Sequence, residues 1–256
     1  MKKILLCIYL LNYFVYGGEL PFIKASDYMH NNLKPDQYMS IEKGKKVMKA
    51  IKNKDIKALE KMLKNGLNPD SYFPYKHSFT LLQFAYSNKN IEIVKLLLKY
   101  GANPNILKED DSRYVLATRQ PIATNNFEML NLFLKHGASI NTEQPYRQII
   151  NCDTYNSITP PLFNANTKKM IKFLVSKGGN IYQKTARSET ILDSYTFMKK
   201  KSIDFKKWLI NKYKLPTTYF KCSDEINAII KVVHTKEGFK EYDVNGTMVY
   251  EYNATK

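Results

Sequence analysis

The fold is decided by residues 80–105, which read TLLQFAYSNKNIEIVKLLLKYGANPN. This stretch predicts two short helices, over residues 81–86 and 91–100, with a polar turn between them. Gly101 ends the second helix, because a residue without Cβ takes a positive φ at no steric cost. Four apolar residues at helical spacing give that helix one apolar face: Ile93, Val94, Leu97 and Leu98. Helices this short are marginal in water, so the pair needs a similar neighbour to cover its apolar face.

Similar segments recur along the chain. Each is basic and apolar and ends in a glycine, at Gly66, Gly101, Gly137 and Gly178, so that the intervals are 35, 36 and 41 residues. The text around these glycines reads KMLKNGLNPD, KLLLKYGANPN, NLFLKHGASIN and KFLVSKGGNIY. A period near 33 residues, built from helix, turn and helix and closing on GAxxN, is typical of ankyrin repeats. The chain therefore resembles the ankyrin-repeat family over roughly residues 40 to 215.

The resemblance is stronger in the second helix of each unit than in the first. Residues 80–85 read TLLQFA where the family has TPLHxA, and residues 159–162 and 190–192 are partial copies. Pro121 falls in the first helix of the third unit, so we expect that helix to start late or to bend. The resemblance implies a mainly α fold, with a solenoid of about five helix-turn-helix units over residues 40–216.

Residues 217–256 have a different character and are predicted to form a small antiparallel β-meander. Residues 226–234, 239–244 and 247–252 are rich in β-branched and aromatic residues. Between the last two runs, Asn245-Gly246 predicts a two-residue type I′ turn with positive φ at both positions. A solenoid needs its end repeat covered, so we expect this meander to cap the stack. The alternative role is an edge strand that accepts a strand from a partner.

The N-terminal residues 1–17 have the pattern of a secretory signal peptide. A start with two lysines precedes an apolar run over residues 4–15, and Gly17 offers a small-residue cleavage site. The run is too short to span a hydrocarbon core about 30 Å thick, so no transmembrane span is expected after cleavage. Residues 18–39 are expected to form an irregular lead-in. The Lys-, Asn- and Tyr-rich composition looks bacterial, which predicts a periplasmic or secreted protein.

The charge and the cysteines limit the partners that the chain can have. The formal net charge is +17, carried mainly by scattered lysines without a basic block. This charge indicates either a solvated outer face or an acidic partner. Nucleic acid is not expected, because no binding module is recognisable. In an oxidising compartment Cys152 and Cys222 could form a disulfide; two separate thiols are the alternative, and both remain open. The four histidines are isolated in sequence, so we expect no metal and no cofactor.

Three loops are predicted to project from the stack and to carry the contacts with a partner. They are residues 67–78, residues 107–114 and the inserted residues 143–156, and insertions in repeat proteins often lie on the binding face. Tyrosine and arginine are enriched in protein interfaces. The candidates are Tyr72, Phe73, Tyr75, Lys76, His77, Asp111, Arg113, Tyr114, Tyr146, Arg147 and Tyr155. The alternative for the first loop is that Phe73 or Tyr75 folds back and covers an apolar edge of the stack.

No nucleophile–base pair, phosphate-binding glycine loop or carboxylate dyad stands out, so we do not expect an enzyme. The resemblance to ankyrin proteins implies a non-catalytic scaffold, monomeric on its own, whose concave face and loop tips hold another protein. One hypothesis is an inhibitor or immunity partner of a toxin, acting in the bacterial envelope. The other is a secreted virulence effector that binds a host protein. The sequence does not identify the partner.

Overall fold

The computed structural model describes most of the chain between residues 39 and 253. The described residues are 23–24, 39–73, 79–106, 108–110, 113–143, 152, 157–185, 187–194, 203–223, 228–235 and 238–253. The predicted signal peptide and nearly all of the lead-in lie outside them. The described part is mostly helical, and an antiparallel sheet of four strands follows the last helix.

The helices are arranged in consecutive pairs, each consisting of a first and a second helix. The α-helices are α1 (Ile41–Lys52), α2 (Ile56–Lys64), α3 (Leu81–Ser87), α4 (Ile91–Lys99), α5 (Arg119–Ala123), α6 (Phe127–Lys135), α7 (Lys168–Ser176) and α8 (Ile203–Tyr213). A 3₁₀ helix, Pro161–Asn164, is the first helix before α7, and another, Ile191–Asp193, precedes α8. The helices predicted over residues 81–86 and 91–100 are confirmed as α3 and α4.

Short polar signals fix where the helices begin and end. The second helices α2, α4, α6 and α7 each follow a polar N-cap whose side chain accepts a hydrogen bond from the third residue of the helix. After each of these helices a glycine adopts a φ between +83° and +88°: Gly66, Gly101, Gly137 and Gly178. Non-glycine residues rarely adopt this conformation, so the glycine period in the sequence marks true helix ends.

Pro121 shortens the first helix of the third pair, as the sequence predicts. The helix α5 has five residues and begins at Arg119, which places Pro121 within its first turn. Backbone N–H groups in the first turn have no partner inside the helix, so the missing donor of proline costs little there. The helix therefore starts late rather than kinking.

A hydrogen-bonded ladder joins each helix pair to the next. Asn105 lies four residues after its glycine; its Oδ1 accepts from the backbone N–H of Ser139 at 2.7 Å, and its Nδ2 donates to the Gly137 carbonyl at 2.8 Å. Asn141 repeats the pattern with the N–H of Asn180 at 2.8 Å and the carbonyl of Gly178 at 2.9 Å. Each such residue fixes the position of the next glycine turn.

The apolar core runs along the helix pairs in two groups that meet at the third pair. One group extends from Met39 to Ala138, and the other extends from Ile122 to the C-terminal sheet. Leu134, on α6, packs against both groups. Because burial of apolar area is the main favourable contribution to folding, no pair is expected to fold without its neighbours.

Short strands lie where the sequence places loops. The second predicted loop forms a hairpin of β2 (Lys108–Asp110) and β3 (Arg113–Val115). The strand β5 (Ser157–Ile158) pairs in parallel with β3. The lead-in is not irregular throughout, because β1 (Ile23–Lys24) pairs in parallel with β4 (Thr142–Glu143). That pairing supplies the backbone hydrogen bonds that an isolated two-residue strand lacks.

The C-terminal sheet has one strand more than the predicted meander. Its order is β6 (Thr218–Cys222), β7 (Ile229–His234), β8 (Gly238–Tyr242) and β9 (Met248–Asn253), all antiparallel. The sequence-based prediction contained no strand at β6, whose five residues begin two positions after Pro216. Tyr219 in this strand is buried, and it fixes the inner face of the sheet against the stack.

The turn between β8 and β9 differs from the predicted type I′ turn. Only Gly246 has a positive φ, and the loop has three residues, closed by hydrogen bonds between Asp243 and Thr247. The Asp243 side chain accepts from the backbone N–H groups of Asn245 at 2.9 Å and Thr247 at 2.8 Å. A carboxylate held in this way favours a type I turn followed by glycine, so the prediction of a two-residue turn was wrong.

Cys152 and Cys222 form a disulfide, with their Cα atoms 5.3 Å apart. The bond ties the segment before β5 to the end of β6, across a sequence separation of 70 residues. Arg187 adds hydrogen bonds to the carbonyl of Cys152 and the carbonyl of Ser223. Of the two alternatives that the sequence leaves open, the structure therefore shows the paired one.

In the described part of the chain, no helix combines the length and the apolar character needed to cross a membrane.

Candidate functional site

Comparing equivalent positions in the first helices of successive pairs shows where the third pair departs from the repeat pattern. Asn90 and Asn126 cap the second helices of the second and third pairs, so equivalent residues there are 36 positions apart. Leu81, which is fully buried, therefore corresponds to Ala117. The change from leucine to alanine removes side-chain volume from a position that the preceding pair fills.

A hollow of about 270 Å³ lies between the first helices of the second and third pairs. Its wall is mainly apolar and includes Phe79, Tyr86, Leu116, Ala117, Ala123 and Phe133. An open apolar hollow of this size is the kind of concavity that ligands and partner side chains occupy.

Polar residues border the hollow and connect the two first helices. The hydroxyl of Ser87 donates to the side-chain carbonyl of Gln120 at 3.3 Å, and the Tyr86 hydroxyl lies 3.4 Å from the hydroxyl of Thr124. The first contact crosses from α3 to the start of α5, and the second crosses to the C-cap of α5. The Tyr86 ring also packs edge-to-face on Phe133, with centroids 6.0 Å apart. These contacts fix the spacing of the helices, so the hollow is a formed feature of the surface between α3 and α5. The surface that the first helices α1, α3 and α5 present is called the groove below.

Thr118, next to Ala117, is buried with an unsatisfied hydroxyl. It corresponds to the buried Leu82 of the second pair and is fully buried itself. Its Oγ1 has no hydrogen-bond partner among the described residues, and it does not cap α5. A buried hydroxyl without a partner costs free energy, so this part of the third pair is not optimised for stability.

The first helix of the first pair carries a strong positive charge beside this groove. Asp55 caps α2 as Asn90 caps α4, so equivalent residues in these two pairs are 35 positions apart. Lys52 then corresponds to Ser87, which borders the hollow. Five exposed lysines lie on α1: Lys43, Lys45, Lys46, Lys49 and Lys52. The acidic residue of this helix, Glu42, forms a salt bridge with Lys46 at 3.0 Å.

The structure moves two predicted contact residues into the core. Tyr72 is 4% exposed and Phe73 is 3% exposed, so neither can reach a partner. The Phe73 ring packs edge-to-face against Phe84 at 4.9 Å, and Tyr72 pairs with Thr80 in an isolated β-bridge. For Phe73 this is the alternative in which the loop folds back on the stack. Both residues pack against the N-terminal part of α3, so the prediction that they contact a partner was wrong.

The remaining predicted contact residues stay predictions. Arg113 and Tyr114 lie on β3, where their backbones pair with both β2 and β5. The others lie outside the described residues: Tyr75, Lys76, His77, Asp111, Tyr146, Arg147 and Tyr155. The strand β3 is therefore paired on both of its edges.

The hollow was not predicted from the sequence. Its space is left by two small residues of the lining, Ala117 and Ala123, and a missing side chain gives no pattern in a single sequence. The signal in the sequence is the alignment of the helix pairs on their N-caps, which places Ala117 at the position that the buried Leu81 occupies in the preceding pair.

A second candidate is a buried polar cluster between the last turn of the stack and the C-terminal sheet. Lys221 forms salt bridges with Asp193 at 3.1 Å and with Glu241 at 3.2 Å. The Tyr219 hydroxyl donates to Asp193 at 2.9 Å and lies 3.1 Å from Nε2 of His234. Asp193 also accepts from Thr190 in a capping box. The cluster therefore anchors the sheet to the helix pair before it.

Burial shifts the titration of the groups in this cluster. It lowers the pKa of His234 to about 4, and the positive charge of Lys206 adds to the effect. It also lowers the pKa of Lys206 to about 8. Burial opposes the charged form of Lys221 as well, but the Asp193 and Glu241 carboxylates outweigh it and raise the Lys221 pKa. Perturbed groups can mark an active site, which would also need a cavity that admits a substrate.

The cavity beside this cluster is too small for a substrate. It has a volume of about 20 Å³, lined by Lys206, His234 and Phe239 among others. That volume is enough for roughly one water molecule. Within the described residues, no group of three or more His, Cys, Asp or Glu could hold a metal ion. The cluster is best explained as a structural junction, and the groove is the stronger candidate site.

Comparison with known proteins agrees with the helix pairs. Residues 47–144 match a family model described as Ankyrin repeats (3 copies). The match covers the second helix pair, the hollow and the third pair, and it spans less than half of the chain. These residues are ankyrin repeats, a module that generally mediates protein–protein interaction. A search of curated proteins finds no significant match to the chain.

Proposed function

We propose that the protein is a non-catalytic scaffold that binds another protein along its first helices. In this proposal the ankyrin repeats continue beyond residue 144, as about five units in one solenoid that the C-terminal sheet caps. The hollow between α3 and α5 carries the proposal, because it is a preformed apolar concavity between two first helices. Ankyrin repeats generally mediate protein–protein interaction, which supports the same reading.

The proposed place of action is outside the cytoplasm, in the periplasm or the medium of a bacterium. The disulfide between Cys152 and Cys222 supports this location, since such bonds persist in oxidising compartments. The signal-like pattern of residues 1–17 supports it independently. Secretion of a tagged protein into the envelope fraction tests it. Recovery of the protein inside host cells would favour a virulence effector that binds a host protein.

A scaffold without chemistry acts by occupying a surface of its partner. We therefore propose that it inhibits a toxin or another envelope protein, as an immunity partner does. The test is coexpression with the protein encoded by the adjacent gene, with cell survival and complex formation as the measurements. Survival without a complex would contradict the inhibitory role, even if the chain binds some other protein.

The binding surface is tested with one substitution in the hollow and a matched control. Ala123→Arg places a long charged side chain at an exposed position that lines the hollow. Asn131→Arg adds the same charge on α6 of the same pair, at an exposed position that does not line it. Pull-down from native envelope extract should recover the main partner with the control variant and lose it with Ala123→Arg.

Two results would contradict the proposal. Recovery of the same partner by both variants would remove the groove from the binding surface. Turnover of a substrate by the purified protein, lost on substitution of His234 or Lys206, would place function in the buried cluster and make the protein an enzyme.

A further inference from the structure

The hollow is large enough for one bulky apolar side chain. Its volume is about 270 Å³, while an apolar cavity of roughly 150 Å³ suffices to bind benzene. Ala117 and Ala123 leave the space, and Phe133 and Tyr86 supply aromatic walls. Anchor residues in interfaces fill such pockets with aromatic or large aliphatic side chains.

The polar groups around the hollow do not favour a charged anchor. The Ser87 hydroxyl already donates to the side-chain carbonyl of Gln120. Gln83 and Arg119 also line the hollow, but Gln83 takes part in the capping box of α3 and Arg119 already has a contact of its own. A charged group that enters an apolar hollow without a new partner loses its hydration at a high cost. The side chain that enters is therefore apolar, and the charge of the partner has to lie elsewhere on the groove.

The lysines of the first helix pair indicate where on the groove a negatively charged part of the partner would bind. Lys45, Lys49 and Lys52 are at the positions that correspond to Leu116, Gln120 and Ser87, and these three equivalents all line the hollow. The lysines thus continue the same surface one or two pairs toward the N-terminus. All three are exposed, and none forms a salt bridge with a carboxylate in the described part of the chain. The net charge of +17 adds a long-range field of the same sign.

The distance between the hollow and the lysines of α1 determines how far apart the apolar side chain and the carboxylates of a partner have to be. Packed helices lie about 8–10 Å apart, so lysines one to two pairs away are roughly 10–20 Å from the hollow. An extended chain advances about 3.3 Å per residue. The distance corresponds to about three to six residues of an extended segment.

We propose that the groove selects an extended partner segment in which a large apolar side chain lies about three to six residues from a cluster of carboxylates. The apolar side chain occupies the hollow, and the carboxylates lie over Lys45, Lys49 and Lys52. This inference rests on the proposed scaffold function and specifies the chemistry of its partner. The acidic cluster supplies attraction and orientation, and the anchor supplies most of the affinity.

The test is a selection from a library of random 16-residue peptides displayed on phage, with the purified disulfide-bonded protein as the target. Selected peptides are synthesised and their affinities measured by fluorescence anisotropy. One variant replaces Lys45, Lys49 and Lys52 by glutamate. Its control replaces Lys57, Lys61 and Lys135 by glutamate, which changes the net charge equally on the second helices α2 and α6.

The expected consensus has Asp or Glu at about three to six residues from Leu, Phe, Met or Trp. The variant that replaces Lys45, Lys49 and Lys52 by glutamate should bind these peptides at least about tenfold more weakly than the unchanged protein at 50 mM salt. At 500 mM salt the loss should be less than about threefold, because salt screens exposed charges. The control should change affinity by less than about threefold at both. Filling the hollow with Ala117→Leu should weaken binding at least about tenfold at every salt concentration. If Ala117→Leu does not fold, Ala123→Leu at an exposed position makes the same test.

A consensus without acidic residues, or equal losses in the two charge variants, would overturn the partner chemistry. The scaffold function would still stand if Ala123→Arg lost the envelope partner. Retained peptide binding in both hollow-filling variants would overturn the anchor. Retained capture of the envelope partner by Ala123→Arg, with every peptide effect intact, would place the natural partner elsewhere on the chain.

Discussion

The ladder between helix pairs has one incomplete step, and completing it should stabilise the protein. Asp70 occupies the position of Asn105 and Asn141, and it accepts from the Asn103 backbone N–H at 2.7 Å. A carboxylate has no N–H group, so it cannot donate to the Gly101 carbonyl as the two asparagines donate to their glycines. Asp70→Asn supplies the missing donor at a position where two equivalent residues already show that the geometry is available.

The expected gain is about 1 kcal/mol, the net value of one hydrogen bond. For a chain of this size, that raises the melting temperature by roughly 2–4 °C. Burial raises the pKa of Asp70, and the Asn103 N–H only partly offsets this. The folded state therefore disfavours the ionised form, a cost present above the folded pKa and absent below the unfolded value near 3.8. The gain from asparagine should accordingly be larger at pH 7 than near pH 4.

The assay is thermal and urea unfolding followed by circular dichroism, with the opposite substitution as a control. Asn141→Asp keeps the acceptor for the Asn180 N–H and removes the donor to Gly178, so it should lose about 1 kcal/mol or more. A gain from Asp70→Asn and a loss from Asn141→Asp support the ladder. If Asp70→Asn is neutral or destabilising while the helical signal is unchanged, the side-chain amide does not join neighbouring pairs and the reasoning fails.

Four further substitutions test other parts of the structure. Thr118→Val should stabilise the protein by about 1 kcal/mol in urea unfolding, because it removes a buried hydroxyl without a partner; a loss would mean that the hydroxyl is hydrogen-bonded in solution. Gly238→Ala should cost at least about 2 kcal/mol, because a Cβ there would overlap the carbonyl oxygen of Tyr252; a neutral result would contradict the close strand approach. Since the His234 pKa falls to about 4, stability should drop by about 3 kcal/mol as the pH falls from 6.5 to 4, and His234→Gln should flatten that slope in urea titrations. Cys152→Ser should cost about 2–4 kcal/mol under oxidising conditions and nothing in excess reductant.

The helices of the repeats could be predicted because their signals are local. Gly101 needs a positive φ, and Asn90 needs to cap the helix that follows; both requirements are visible in the chain itself. Period and apolar spacing then place the remaining pairs. The strand β6 was missed because its partner, β7, lies further along the chain and its inward Tyr219 is recognisable only once the sheet is formed.

The site was less predictable, because it depends on relations between distant residues. Tyr72 and Phe73 have the composition of a contact loop, but packing against α3 buries them. The hollow arises because Ala117 stands at the position that Leu81 occupies in the preceding pair, 36 residues earlier, and no local pattern in the sequence marks this change. The turn at Asn245-Gly246 shows the same limit on a smaller scale, because the Asp243 side chain decides between two geometries that the dipeptide allows.

The most direct test of the account is hydrogen–deuterium exchange of the protein alone and with the partner recovered from the envelope extract. The account predicts slower exchange on binding in residues 79–87 and 116–123, which line the hollow, and in α1, with little change in residues 203–253. Protection confined to the C-terminal sheet, with the first helices unchanged, would show that the partner binds elsewhere and would contradict the central claim.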